Sequence, residues 1–214
     1  MLLGAIVNAK GAKNALDIGA GTGVLSLMLA QRNTEIKITA VELDEVSFEE
    51  CVLNFENAPW KKRLKAMHED ILKFRSNEAF DLIVLNPPFY HNTLVNEDVR
   101  LRTARHEASL PMARLFGKIA GLLHEHGTVW MIIPFKDLDR WKREAERTGL
   151  FSAEEWHIRG KEKGDFVRTI VHWTRTAHSS TVKKLTVRKA DATYTDEYIR
   201  LTRDFHAIDL TGRR

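Results

Sequence analysis

Over roughly its first 150 residues, the chain alternates short apolar runs with stretches of helical period, which restricts it to a parallel sheet with helices on both faces. Leu2, Leu3, Ile6 and Val7 predict a short opening helix, and Ala15-Leu16-Asp17-Ile18 the first buried strand. Val24 to Ala30 is helical and apolar nearly all round, as suits a helix against a sheet. Lys37 to Val41 reads as strand two. The helix after it turns Val46, Phe48, Cys51, Val52 and Phe55 inward and is stopped by Pro59. Leu64 to Met67 is a weaker third strand and Phe80-Asp81-Leu82-Ile83-Val84-Leu85 a strong fourth. Between Pro111 and Gly127, Leu115, Ile119, Leu122 and Leu123 form a helical stripe, with Gly127 as a left-handed cap and Thr128 to Ile133 as strand five.

Beyond residue 150 the pattern changes. A helix around Asp137 to Arg147 leads into two strand-like segments, Ala153 to Ile158 and Phe166 to Thr174. The turn-rich Lys161-Glu162-Lys163-Gly164-Asp165 between them favours a hairpin. Lys184 to Arg188 and Thr195 to Ala207 read as one more strand and an amphipathic helix. The 214 residues suffice for one full-sized domain, so residues 1–214 are expected to share one hydrophobic core. No apolar run reaches the length of a membrane span and the start lacks the order of a signal peptide, so a cytoplasmic protein is expected. Cys51 is the only cysteine, which rules out an intrachain disulfide and argues against a thiolate zinc site. His124-Glu125-His126 matches no zinc spacing and reads as a polar helix end, so no metal is expected. The formal net charge of +4 permits a polyanionic partner.

Asp17-Ile18-Gly19-Ala20-Gly21-Thr22-Gly23 directly follows the first strand and opens a helix. Glycines there allow a tight turn and let a ligand approach the backbone at the carboxyl edge, where open α/β sheets bind ligands. A glycine loop alone can be no more than a turn. The dinucleotide fingerprint would place its third glycine one residue later than Gly23, and a P-loop would need Gly-Lys-Ser/Thr. Glu42, at the end of strand two, is placed to accept hydrogen bonds from both hydroxyls of a ribose.

Strand four ends in Asn86-Pro87-Pro88-Phe89, a run that resembles the N/D-P-P-Y/F/W motif of the amino methyltransferases and by that resemblance implies an exocyclic base amine as methyl acceptor. An exocyclic base amine is a poor nucleophile because its lone pair is delocalised into the ring. Two acceptors, the Asn86 side-chain oxygen and the Pro87 carbonyl, can each take one N–H and turn the lone pair toward an electrophile. The fixed φ of proline stiffens the turn without adding a donor. Phe89 offers a face on which an extruded base stacks, worth on the order of 1–3 kcal/mol. Tyr90 stacks as well or lines the rim. A strand merely ended by prolines explains the residues but not their position beside a glycine loop.

The glycine loop resembles motif I of class I S-adenosylmethionine-dependent methyltransferases, and Asn86-Pro87-Pro88-Phe89 resembles motif IV of the amino methyltransferases. The resemblance implies a Rossmann-like α/β fold with a mostly parallel seven-stranded sheet and a C-terminal antiparallel hairpin. It also implies S-adenosylmethionine as cofactor, held by Asp17 near the methionine part, by Gly19, Gly21, Gly23, Glu42 and Asn86, and by Asp70 at the adenine amine.

Motif IV of this type is shared by enzymes acting on adenine in DNA and RNA, on guanine in rRNA and on a protein glutamine. Further matches single out one family. Leu16 to Gly21, Pro59-Trp60, Arg102-x-Ala104-Arg105-His106, Tyr194-Thr195-x-x-Tyr198 and Leu201-Thr202-x-x-Phe205 resemble the bacterial tRNA1(Val) adenine-37 N6-methyltransferases over nearly the whole chain. The resemblance implies transfer of a methyl group to N6 of an adenine in tRNA, at position 37 of the anticodon loop. The alternatives are an rRNA or DNA base, a protein glutamine, or a non-catalytic cofactor- or RNA-binding module. Basic residues in Lys61-Lys62-Arg63-x-Lys65, Lys161-x-Lys163 and Lys183-Lys184 are candidates for gripping RNA. Arg102 and Arg105, which follow the catalytic loop, are the foremost of them. Relative to the family the chain starts inside the first helix, and weaker cofactor binding than in a lengthened version is expected.

Overall fold

The computed structural model describes residues 1–87, 112–177 and 179–210. A short helix α1 (Leu2–Ile6) precedes β1 (Asn14–Ile18), α2 (Val24–Arg32), β2 (Lys37–Glu42), α3 (Glu45–Glu56), β3 (Leu64–His68) and β4 (Phe80–Leu85). After residues 88–111 come α4 (Met112–Leu122), β5 (Leu123–Pro134), α5 (Leu138–Glu146), β6 (Phe151–Lys161), β7 (Phe166–Thr174), β8 (Thr181–Arg188) and α6 (Asp196–Thr202). The strands form one sheet in the order β3-β2-β1-β4-β5-β7-β6-β8. β3, β2, β1, β4 and β5 are parallel, and β7 runs antiparallel between β5 and β6.

Among the described residues the sheet has eight strands: the seven of the expected Rossmann-like pattern and β8, the further strand expected at Lys184 to Arg188, which begins three residues earlier. β8 pairs in parallel with β6 at the outer edge and so extends the sheet beyond the hairpin.

Alternation along β4 shows how the sheet is covered. Ile83 and Leu85 enter one cluster with Phe116, Ile119, Trp141 and Trp173, beneath α4 and α5. Leu82 and Val84 enter the other, with Leu3, Leu29, Trp130 and Leu185, beneath α1 and α2. A strand buried on both faces reads as a continuous apolar run, as Leu82-Ile83-Val84-Leu85 does. Phe116 meets Trp141 and Trp173 edge to face, with ring centroids 5.9 and 5.8 Å away.

Two arginines tie down helix ends, each taking up a carbonyl that the last turn leaves orphaned together with carbonyls of the chain that follows. Arg32 donates to Gly4, inside α1, and to Val7 after it. Arg63 reaches Ala30, inside α2, and Asn33 and Ile36 after it, each at 2.9 Å. Arg63, one of the basic candidates for RNA, is therefore committed to the fold. Lys183, another, lies over the Trp156 ring at 4.7 Å and pairs with Glu154 at 3.1 Å.

Three local expectations are corrected. Gly127 is no helix cap. α4 ends at Leu122 and Gly127 lies in β5, where an added Cβ would come within 2.7 Å of the Phe80 carbonyl oxygen. His124, Glu125 and His126 accordingly belong to the irregular start of β5 and not to a helix end, at a register shift between Phe80 and Leu82 of β4. Val46 does not face the core and is 65% exposed, whereas Cys51 and Phe55 of the same helix are buried.

Candidate active site

β1 and β4 are adjacent and parallel, and the chain leaves them in opposite lateral directions: toward β2 and β3 from one, toward β5 from the other. This is a switch point of the kind at which open α/β sheets bind ligands. Ile18 pairs with both Val41 and Leu85, and Glu42 with His68, so four strand ends share one edge. Along it lie Asp70 beyond β3, Glu42 on β2, Gly19 after β1 and Asn86 after β4. Three strand spacings, about 14 Å, separate the outer pair.

The glycine loop divides its duties. Gly19, Gly21 and Gly23 all have positive φ (65°, 55° and 80°). Among the described residues an added Cβ at Gly19 or Gly21 would meet nothing within 4 Å, so neither is needed for packing and both leave backbone that a ligand can approach. At Gly23 it would come within 2.6 Å of the Phe55 ring and 2.8 Å of the Cys51 sulfur, so this glycine permits close packing of α3 against the loop. Asn54 of α3 braces the same loop through the Thr22 carbonyl at 2.9 Å.

Asp17 is 1% exposed. Its Oδ2 accepts from the backbone N–H of Ser26 at 3.1 Å and from the Ser26 hydroxyl at 2.7 Å. Burial pushes its carboxyl up to about 6. The two Ser26 bonds oppose this, and the charge of Glu42 adds to it. Ser26 escaped the sequence reading. Its signal was a lone polar residue inside the apolar Val24 to Ala30 helix. Burial also pushes the Cys51 thiol up to about 12, helped by the charges of Asp17 and Glu42.

Glu42 is half-buried. Its Oε2 accepts from the Gly21 N–H at 2.7 Å, and its Oε1 from the Leu43 and Asp44 N–H groups, both at 2.8 Å. Asp70 heads a turn, its Oδ1 accepting from the Leu72 N–H at 2.9 Å. Lys118 of α4 ties that turn down through the Phe74 carbonyl. Asn86 is exposed and Pro87 half-buried. Pro88, Phe89, Tyr90, Arg102 and Arg105 lie outside the described residues. Two clefts of about 460 Å³ are lined in part by Lys65 and Phe74, and by Phe55 and Lys61; neither includes the glycine loop, Glu42 or Asn86. The strand ends themselves define the site.

This sheet, with its glycine loop and carboxylates at successive strand ends, is that of a class I S-adenosylmethionine-dependent methyltransferase. The methyltransferase small domain family matches residues 1–134. A predicted O-methyltransferase of Agrobacterium tumefaciens shares the fold, with a TM-score of 0.68 over 97% of this chain and 96% of that one at 16% identity. A glycopeptide N-methyltransferase, MtfA, solved with S-adenosylmethionine, gives a TM-score of 0.57 over 78% of this chain and 89% of its own at 13% identity.

Among sequence relatives, the tRNA1(Val) (adenine(37)-N6)-methyltransferase of Bacteroides thetaiotaomicron is 34% identical over 96% of this chain and 87% of its own length. That of Pedobacter heparinus is 36% identical over 96% and 88%. The chain belongs to the family of tRNA1(Val) (adenine(37)-N6)-methyltransferases.

Proposed function

We propose that this protein methylates the N6 amine of adenine 37 in tRNA1(Val), with S-adenosylmethionine as donor. The observation that supports the reading is the Ile18–Leu85 pairing, by which Asn86-Pro87, read as the amine acceptors, follow β4 beside the Gly19 turn after β1. The cofactor fits the residues present: Gly19 and Gly21 leave space along the backbone, Glu42 and Asp70 would offer acceptors to a ribose and to an adenine amine, and the Asp17 carboxylate, which has no cationic partner among the described residues, would attract the cofactor's ammonium. Bound there, S-adenosylmethionine supplies a methyl group on a positively charged sulfur.

The chain's own part is orientation. The Asn86 side-chain oxygen and the Pro87 carbonyl accept the two N–H groups of the target amine and turn its lone pair toward the cofactor. Phe89 holds the extruded ring by stacking, and Tyr90 lines it. Arg102 and Arg105 bind phosphates on the substrate side. Three backbone N–H groups already occupy most of the roughly four acceptor positions of Glu42. Holding both ribose hydroxyls would therefore require Glu42 to give up one of these three N–H donors. The protein's compartment is proposed to be the cytoplasm, where tRNA is processed; among the described residues no helix is long and apolar enough to cross a membrane.

Mass analysis of nucleosides from tRNA1(Val) incubated with the protein tests the assignment. N6-methyladenosine at position 37 is expected, and its loss in Asn86→Ala with cofactor binding retained. Methylation of rRNA, DNA or a protein glutamine instead, under the same conditions, would replace the proposed substrate.

A further inference from the structure

The strands on the far side of β4 are longer than those carrying the cofactor residues. Leu85, the last residue of β4, pairs with Met131, yet β5 continues to Pro134. At about 3.3 Å per residue, β5 rises roughly 10 Å past the end of its neighbour. β7 and β6 follow it, since Pro134 pairs with Arg168, Ile158 with Arg168, and Arg159 with Phe166. The antiparallel wing therefore stands as a wall beside the exposed Asn86.

An aromatic shelf tops this wall. Phe135, His157 and Phe166 form a mutually contacting trio with centroid separations of 4.9, 5.4 and 5.7 Å, and all three are half-buried. Arg159 lies over the Phe166 ring at 5.7 Å. The shelf is rigid. The His157 ring is tied through Nε2 to the buried Glu155 at 3.0 Å, and Arg159 Nε donates to Thr186 Oγ1 at 2.8 Å. The rings are half-buried, so they are neither sealed inside a core cluster nor fully solvated.

Resting on the proposed function, we propose that this shelf carries the single-stranded RNA next to the target base, one flanking base stacking on Phe166 and Phe135 while Arg159 meets its phosphate. Position supports the assignment. The shelf lies one to three strand spacings, about 5–14 Å, lateral to Asn86 and roughly 10 Å above it, which is within one or two nucleotides of the target. Its composition supports it too: aromatic faces with a cation are the general means of holding unpaired bases without reading sequence.

The test compares Phe166→Ala and Arg159→Gln with the parent, using a tRNA1(Val) transcript. Phe166→Ala is expected to weaken tRNA binding roughly tenfold and to raise KM for tRNA alike. Arg159→Gln is expected to lower the salt slope of binding by about one. Calorimetric affinity for S-adenosylmethionine should match the parent in both, which also certifies the fold. If Phe166→Ala fails that check, the Arg159→Gln salt slope decides alone. Unchanged tRNA binding and salt slope, in variants of a parent that methylates the transcript, would overturn the shelf and leave the methylation reading standing. A parent that methylates no tRNA removes both.

Discussion

Replacing Asp17 with asparagine should stabilise the ligand-free protein while abolishing tight cofactor binding. Asp17 is buried beside Glu42, and its carboxyl is raised from the ordinary 3.8 to about 6. At about 1.4 kcal/mol for each tenfold change, this amounts to about 3 kcal/mol held against the ionised form. Because the folded-state value is raised, the contribution of Asp17 to stability is fully present below about pH 4 and is lost as pH rises through about 6. Asparagine keeps an oxygen to accept both Ser26 donors and has no charge to desolvate. The Asp17→Asn variant should thus match the parent near pH 4 and exceed it by up to about 3 kcal/mol at pH 8, or about 6–12 °C in Tm for a chain of this size. Melting followed by circular dichroism from pH 4 to 9 measures the gap. A variant equally or less stable than the parent at pH 8 would show that Asp17 is ionised at no cost, and the reasoning would fail. Calorimetry supplies the second half: parent binding of S-adenosylmethionine near pH 6 should release a fraction of a proton, and the variant should release none from this residue.

The other predictions separate the roles of neighbouring residues. Gly21→Ala, strained by its φ of 55° but facing open space, should lose on the order of 1 kcal/mol of stability and far more cofactor affinity, as read by melting and calorimetry. Gly23→Ala must also displace Phe55 and Cys51, so its stability loss should be the larger, by about 1–3 kcal/mol in denaturant titration. Phe116→Ala, emptying the space between Trp141 and Trp173, should cost about 3–5 kcal/mol in the same titration with cofactor affinity per folded molecule unchanged.

What the sequence made legible is what backbone periodicity and local chemistry encode. The continuous apolar run of β4, the glycine loop after β1 and the hairpin turn at residues 161–165 each carry their signal within a few residues. Gly127 misled because a glycine after an amphipathic stripe looks like a cap, whereas its cause is the Phe80 carbonyl, more than forty residues away in sequence. Val46 fitted the helical stripe, but the helix packs on the sheet through Cys51 and Phe55 against Ala40, and Val46 is left exposed. The commitment of Arg63 to three carbonyls of the α2 turn is equally invisible without tertiary contacts. At the site, the order of the carboxylates followed from strand order, while the dependence of Asp17 on Ser26 did not.

The contrast between Asp17 and Glu155 sharpens the reading of the site. Both carboxylates are buried, at 1% and 3% exposure. Around Glu155, burial raises the carboxyl, but bonds from Lys142, His157 and Ser152 outweigh it and bring it below the ordinary value. A buried charge supplied in this way with a cation and hydrogen bonds is a settled part of the fold. Asp17 has the hydroxyl and amide of Ser26, a nearby carboxylate and no cationic partner among the described residues. A chain selected for stability alone would place an asparagine or a serine there. The unbalanced carboxylate makes sense beside a ligand that brings the positive charge, and Gly19 and Gly21, the two loop glycines not packed against α3, follow it directly in the chain. On the proposed reading, the cost of burying Asp17 without a cation is offset by a cationic ligand lying along the loop.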